Sequence, residues 1–182
     1  MKRSAVRAPQ TVMTERLRGR RIQIVDFAYV REIDTDSRVM QTLFGTIQTE
    51  QQSRLRLQRW LQMWSERGIG FWLFSELAGA TVGHGGLFPS PREAGEVEVG
   101  YVLKPAYWGR GFATEITREA LRIGFDVVGF ERIIAIAQTT NVASRRVMEK
   151  CGMIFECERP FPDGVPGVRY AMTKANDAPL KS

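Results

Sequence analysis

A short turn containing two glycines joins a predicted strand to a predicted helix in the middle of the chain. The strand is EVEVGYVL (96–103), in which acidic residues alternate with valines before Pro105 ends it. The turn is YWGRGFATE (107–115), and the helix after it runs to residue 129 with one apolar face. Glycine loses the most conformational freedom on folding, so two glycines one residue apart indicate that this turn needs bare backbone.

The segments on either side of this unit complete a mixed fold. They are a strand at 14–22, helices up to residue 68, a hairpin at 71–88, a buried strand at 132–138, a helix at 141–152 and two closing strands. This order predicts a mixed α/β (α+β) fold, with one mostly antiparallel sheet of about seven strands and helices on both faces. We expect one domain over residues 14–175, between a basic, disordered tail at 1–13 and a short tail at 176–182.

Composition excludes several classes of protein. Seven basic residues and one acid lie in the first 21 positions, so this segment accounts for the whole formal charge of +6, and specific binding of nucleic acid is not expected. No apolar run approaches the roughly 18 residues of a membrane helix, and no secretory signal is present, so we expect a cytoplasmic protein without a membrane partner. Two cysteines and one histidine are too few for a Cys/His metal site, and no metal is predicted.

The glycine turn has two readings at this point. The first N–H groups of a helix have no partner within it and carry the positive end of the helix dipole, so glycines there let a phosphate approach. Arg110 would add a mobile positive charge. The P-loop pattern is absent, and the dinucleotide pattern fails because Thr114 stands where its third glycine belongs. The turn is therefore either a pyrophosphate cradle or an ordinary connection between a strand and a helix.

The motifs GYVL, YWGRGFATE, NVAS and EKCGM follow one another in order and at a specific spacing within residues 96–153. This combination resembles the GNAT superfamily of acetyl-CoA-dependent N-acetyltransferases. TERLRGR near the start and WSERGIGFWLF in the middle are similar to the branch that acetylates the N-terminal amines of ribosomal proteins. The resemblance covers roughly residues 14–173.

The resemblance implies a binding site for acetyl-CoA and no metal. The pantetheine arm would pair with the backbone around Tyr101, Val102 and Leu103, where one N–H would also polarise the thioester carbonyl. Asn141 and Ser144 would contact the pantetheine or its thioester end. The turn that would hold the pyrophosphate consists of Trp108, Gly109, Arg110, Gly111, Phe112, Ala113 and Thr114.

The resemblance also implies direct attack of a neutral amine on acetyl-CoA in a ternary complex. Glu98 and Asp163 are the candidate bases for the ammonium proton, and Ser144 is the candidate acid for the leaving thiolate because Met148 occupies the family's usual tyrosine position. Each has a structural alternative. In the structural alternative, Glu98 is an exposed strand carboxylate and Asp163 is a turn residue before Gly164. Ser144 then merely faces the helix interior.

The identity of the acceptor stays open. A protein N-terminus, as in ribosomal-protein acetylation, and a small amine are both compatible with the sequence. A different class is a CoA-binding sensor or interaction module without catalysis. A homodimer is common among similar proteins. His84 either lines the acceptor pocket as a base or makes a structural hydrogen bond, and Cys151 and Cys157 are expected to be apolar fillers.

Overall fold

The computed structural model describes residues 6–43 and 45–176, and within these ranges one open sheet of eight strands forms the centre of the fold. The spatial order is β1-β2-β3-β4-β5-β6-β8-β7, and all neighbours are antiparallel except β5 and β6, which are parallel. The strands are β1 (Thr11–Met13), β2 (Leu17–Arg21), β3 (Phe71–Glu76), β4 (Thr81–Pro89), β5 (Val97–Leu103), β6 (Arg132–Gln138), β7 (Ile154–Glu158) and β8 (Gly167–Thr173). The predicted mixed, mostly antiparallel sheet is confirmed.

The eighth strand is β1, which lies where a disordered tail was expected. Val12 is buried, and the strand pairs with β2 through residues 11–13. The chain before it is also anchored, because the Ala8 N–H donates to the Gly68 carbonyl (2.9 Å) and the Trp72 indole donates to the Pro9 carbonyl (2.9 Å). Basic and proline-containing composition predicted a tail here, but these long-range hydrogen bonds order residues 8–13. Residues 1–5 of that predicted tail, and 177–182 of the other, lie outside the described residues.

Helices cover both faces of the sheet, and successive apolar side chains of β3 point alternately to the two faces. Phe71 and Leu73 point to the face covered by α1, α2 and most of α3, whereas Trp72 and Phe74 point to the face covered by α4 and α5. The helices are α1 (Phe27–Thr35), α2 (Ser37–Gln41), α3 (Glu50–Arg67), α4 (Phe112–Arg122) and α5 (Val142–Lys150). Across the two described ranges, no helix has the length and apolarity to cross a membrane.

The long helix after the glycine turn changes its winding before it ends. α4 continues into a π-helical segment, Ile123–Val128, and Gly129 ends it with φ of +84°. The N–H groups of Gly129 and Phe130 both donate to the Gly124 carbonyl at 2.9 Å. A side chain at 124 would lie 2.5 Å from Cδ1 of Ile133, so this glycine lets the wider turn pack directly on β6.

The sheet splits between its two parallel strands. Within the described part of the chain, β5 and β6 pair at one position, Glu98 with Ile134, and then diverge toward Leu103 and Gln138. The crossover that joins these strands begins with the glycine turn and α4. The fold therefore places the opening in the sheet beside the N-terminus of α4.

Candidate active site

The split exposes one edge of β5 from Val99 to Leu103. Its other edge is paired with β4 over the whole length of the strand, from Gly83 opposite Leu103 to Pro89 opposite Val97. Backbone N–H and C=O groups need hydrogen-bond partners, and beyond Glu98 no strand supplies them on the β6 side within residues 6–43 and 45–176. An extended ligand that carries amide groups fits this opening.

The glycine turn lies at the open end of the split. Gly109 has φ of +73° and Gly111, the residue that caps α4, has φ of +83°, so both adopt the left-handed conformation that favours glycine. The Trp108 indole donates to the Leu103 carbonyl at 2.9 Å and fastens the turn to the end of β5. A side-chain carbon at 109 would meet no atom within 4 Å. The backbone geometry by itself requires the glycines, and the first N–H groups of α4, which have no partner within the helix, follow directly.

The connection between β1 and β2 braces this turn. Arg16 donates to the Arg110 carbonyl at 3.0 Å and forms an ion pair with Glu115 at 2.6 Å. Glu115 also accepts from the Thr14 hydroxyl at 2.5 Å and from the Arg16 backbone at 2.9 Å. Partial burial raises the pKa of Glu115, but these hydrogen bonds outweigh burial and the pKa lies below its usual value. Sequence patterns missed this brace because its partners are more than 90 positions apart along the chain.

The positive charge expected at Arg110 lies beside the turn, on a half-exposed side chain. The Arg110 guanidinium forms an ion pair with Glu76 of β3 at 2.8 Å and lies over the rings of Tyr107 and Phe112, 5.2 and 4.8 Å from their centroids. The side chain thus contacts β3 as well as the aromatic residues of the turn, and its charge lies beside the backbone N–H groups of the turn.

We expect Gly109→Ala to weaken binding of acetyl-CoA by tenfold or more, because alanine disfavours a φ of +73° and would shift the backbone N–H groups of the turn. Gly129→Ala is a matched control, since Gly129 also has a positive φ (+84°) and open space around it. Left-handed strain should cost both variants a similar ~1–2 kcal/mol of stability. Calorimetric titration checks the affinity, and equal loss of affinity in both variants would contradict a specific role for Gly109.

Glu98 lies at the closed end of the split and is buried. Its carboxylate accepts from the Ser90 hydroxyl at 3.0 Å and from one Arg92 nitrogen at 3.2 and 3.4 Å. Burial raises the pKa of Glu98, and Arg92 and Ser90 offset this only in part. The alternative of an exposed strand carboxylate is wrong. A buried carboxylate with a raised pKa beside an opening is a suitable proton acceptor.

Asn141 and Ser144 lie at the start of α5. The side-chain oxygen of Asn141 caps the helix by accepting from the Ser144 N–H at 3.0 Å. Burial raises the pKa of the Tyr101 phenol, and a hydrogen bond with Ser144 offsets part of that rise, so the two hydroxyls meet between β5 and α5. Met148, one turn further along, is a buried core residue.

Asp163 lies apart from these groups, on an exposed turn. Its Oδ1 accepts from the Val165 N–H at 3.2 Å, which is the turn-forming role that the sequence allowed as an alternative. The loop around it nevertheless packs near Glu98, because Phe161 lies under the Arg92 guanidinium at 4.8 Å.

His84 belongs to the core. Tyr29 hydrogen-bonds its Nδ1 at 2.8 Å, and the rings of Trp60 and Phe71 pack at 4.7 and 5.2 Å. Burial, with a smaller effect of the Arg56 charge, lowers the pKa of His84 to about 3, so the imidazole is neutral. This environment matches the structural alternative for His84. Burial raises the pKa of the Cys151 thiol to about 11, as suits an apolar filler.

Two grooves lie near the start of α5 and the start of α4. A pocket of about 330 Å³ lies between α2 and the start of α5 and includes Arg38, Gln41 and Asn141. A larger groove of about 960 Å³ follows the outer side of α4 and includes Gly111, Thr114 and Lys150. The two grooves thus approach the start of α5 and the glycine turn, respectively.

Comparison with known families agrees with this architecture. The family model for the acetyltransferase (GNAT) domain matches residues 16–154, and the chain belongs to the GNAT acetyltransferase family. The FsC-acetyl coenzyme A-N(2)-transacetylase of Aspergillus fumigatus is 30% identical to this chain over 187 residues, which cover 93% of this chain and 78% of that protein.

Solved structures share the fold. A GNAT-family acetyltransferase from Bacillus anthracis has a TM-score of 0.76 and 28% identity, covering 91% of this chain and 99% of that one. A RimL ribosomal L7/L12 α-N-protein acetyltransferase in complex with coenzyme A has a TM-score of 0.74, covering 92% and 99% of the two chains. At 14% sequence identity, the similarity of this structure to the present chain concerns the fold alone.

Proposed function

We propose that this protein transfers the acetyl group of acetyl-CoA to a primary amine, with the donor held in the split between β5 and β6. The observation that carries the proposal is the single pairing position between these strands, which leaves an edge of β5 free beside the glycine turn. GNAT enzymes use acetyl-CoA, and its pantetheine arm is extended and contains two amides. Such an arm fits the edge at Tyr101, Val102 and Leu103 as an added strand would.

The pyrophosphate would lie over the turn from Trp108 to Thr114. Two observations support this placement: the space beside Gly109 is open, and the first N–H groups of α4 have no partner within the helix. Asn141 and Ser144, on the opposite wall, would face the thioester end. The Arg16 brace holds the turn in the shape that this contact needs.

The chemistry would proceed by direct attack within the ternary complex. Glu98 takes the proton of the ammonium group, and the neutral nitrogen then forms a bond to the thioester carbon. A β5 backbone N–H stabilises the negative charge on the carbonyl oxygen. The carbon–sulfur bond breaks, and the Ser144 hydroxyl donates its proton to the leaving thiolate. The nitrogen, which is positively charged after the attack, returns a proton to the Ser144 oxygen and becomes the neutral amide. The burial of Glu98 supports its role as the base. The carboxylate of Asp163 instead accepts a hydrogen bond from the Val165 N–H of its own turn.

The acceptor is either a protein N-terminus or a small amine. The name of the Aspergillus fumigatus relative describes an N(2)-transacetylase, and the RimL neighbour is described as an α-N-protein acetyltransferase. The pocket between α2 and α5 lies beside Asn141 and is the entrance we assign to the acceptor.

An acceptor panel tests the proposal. Acetyl-CoA is offered with peptides that have a free α-amine, with the same peptides blocked at that amine, and with small polyamines, amino sugars and amino acids. We expect release of the CoA thiol to depend on one class of amine, and mass spectrometry should find the acetyl group on that amine. Binding of acetyl-CoA without amine-dependent thiol release would favour the non-catalytic CoA-binding module instead.

A further inference from the structure

The loop between β4 and β5 folds back onto Glu98. The Ser90 N–H donates to the Glu96 carbonyl at 2.9 Å, and this closed loop brings Ser90 and Arg92 to the buried carboxylate. Arg92 contacts both carboxylate oxygens, at 3.2 and 3.4 Å. No local sequence pattern marked Arg92.

A second loop, residues 159–166, fixes the other side of the Arg92 guanidinium. The Phe161 ring lies 4.8 Å from it, and a side chain on Gly167 would come within 2.7 Å of that ring, so the ring rests directly on backbone. The Phe161 N–H donates to the Val165 carbonyl at 2.8 Å, which closes the loop beneath. Arg92 is therefore held between an aromatic face and a carboxylate.

The charges around Glu98 come chiefly from its own loop. Burial raises the pKa of Glu98. The charge of Arg92 lowers this pKa, and the charge of Glu93 raises it further. The strand partners of Glu98, Phe88 on β4 and Ile134 on β6, are uncharged. Arg159 and Arg169, from the second loop and from β8, form ion pairs with Glu93 at 2.8 and 3.3 Å.

We propose that Arg92 is a positioning residue that keeps Glu98 charged and oriented to accept the proton of the acceptor, and that Phe161 holds Arg92 in place for this task. The inference rests on the proposed function of Glu98. An opposite charge within hydrogen-bonding distance favours the ionised carboxylate, and the contact of one Arg92 nitrogen with both carboxylate oxygens restricts its orientation. The loop that carries Phe161 thereby helps to position Arg92. Asp163 lies on the same loop, but no described contact joins it to Glu98.

Arg92→Met tests this role because methionine keeps most of the side-chain stem and removes the charge. We expect the acid limb of the pH profile of kcat/KM to move up by about one pH unit, since Glu98 then keeps its proton to higher pH. The rate above that limb should stay within about threefold of wild type. Phe161→Leu should move the limb in the same direction by less, and Arg92→Lys should largely restore it. Arg122→Met is the matched control, because Arg122 pairs with Glu119 on α4, apart from Glu93 and Glu98, and it should leave the limb in place.

A direct titration of Glu98 provides a readout that does not need activity. In protein labelled with isotopic glutamate, the NMR signal of Glu98 is assigned by its loss in Glu98→Gln. Its midpoint should rise in Arg92→Met and, by less, in Phe161→Leu. An unchanged midpoint in both variants overturns the inference, and so does a raised midpoint that leaves the acid limb unmoved. Failure of the proposed function is distinguishable, because it would appear as absent transfer in the wild-type protein itself.

Discussion

Glu98→Gln is expected to lower kcat for acetyl transfer by about 10²- to 10³-fold, the usual range for loss of a positioned general base. The glutamine amide preserves the shape of the side chain at the closed end of the split but does not accept the ammonium proton. Binding of acetyl-CoA should change little, because the donor contacts the free part of β5 and the glycine turn. Initial rates at saturating donor and acceptor measure the loss.

Glu96→Gln is the matched control for this substitution. Glu96 lies two positions earlier, has the same charge, and forms an ion pair with Arg132 at 3.2 Å away from the split. Its rate should stay within about twofold of wild type. Asp163→Asn should also be close to wild type. A loss of less than threefold in Glu98→Gln, together with a large loss in Asp163→Asn, would transfer the role of base to Asp163.

The second large predicted effect is that the free energy of unfolding depends on pH through His84. The folded protein keeps His84 neutral, with its pKa lowered from 6.5 to about 3. Below pH 6.5 the unfolded chain binds a proton that the folded chain does not, so stability present above this pH is lost as pH falls toward 3. His84 alone should lower the free energy of unfolding by about 2 kcal/mol between pH 7 and pH 5.

Urea unfolding at pH 5, 6 and 7 measures this contribution. The matched variant is His84→Asn, which does not titrate but keeps a polar atom near the position of Nδ1. It should be less stable than wild type at pH 7, and the difference between the two proteins should shrink as pH falls. A constant difference from pH 7 to pH 5 would show that His84 is protonated in the folded state, against the buried geometry with Tyr29.

Local patterns in the sequence were sufficient for the parts of the site that are continuous in the chain. β5, the glycine turn and α4 with its π-helical continuation follow one another directly, and period and glycine placement predict their outer bounds within about one residue. Thr49 and Gly68 likewise predict the ends of α3, where a capping box and a left-handed glycine are found. The family match agrees with the motif order in this stretch.

The remaining features depend on contacts that local pattern does not encode. Glu96 and Glu98 occupy equivalent places in an alternating strand, yet Glu96 is partly exposed and Glu98 is buried against Arg92. The turn is braced by Arg16 from the other end of the sheet, and β1 forms because Val12 fits the core. Arg92 reaches Glu98 only because its loop folds back onto the strand, and Arg16 lies more than 90 positions from the turn that it braces.

Thermal unfolding with and without acetyl-CoA tests most directly whether the donor occupies the split, with NAD and ATP as controls. A ligand that binds only the folded state stabilises it by mass action, by about 2.7 kcal/mol at a hundredfold excess over Kd. We predict a rise in Tm of several degrees with acetyl-CoA and little or none with NAD or ATP. An unchanged Tm with saturating acetyl-CoA, or an equal rise with all three compounds, would contradict a donor site between β5 and β6.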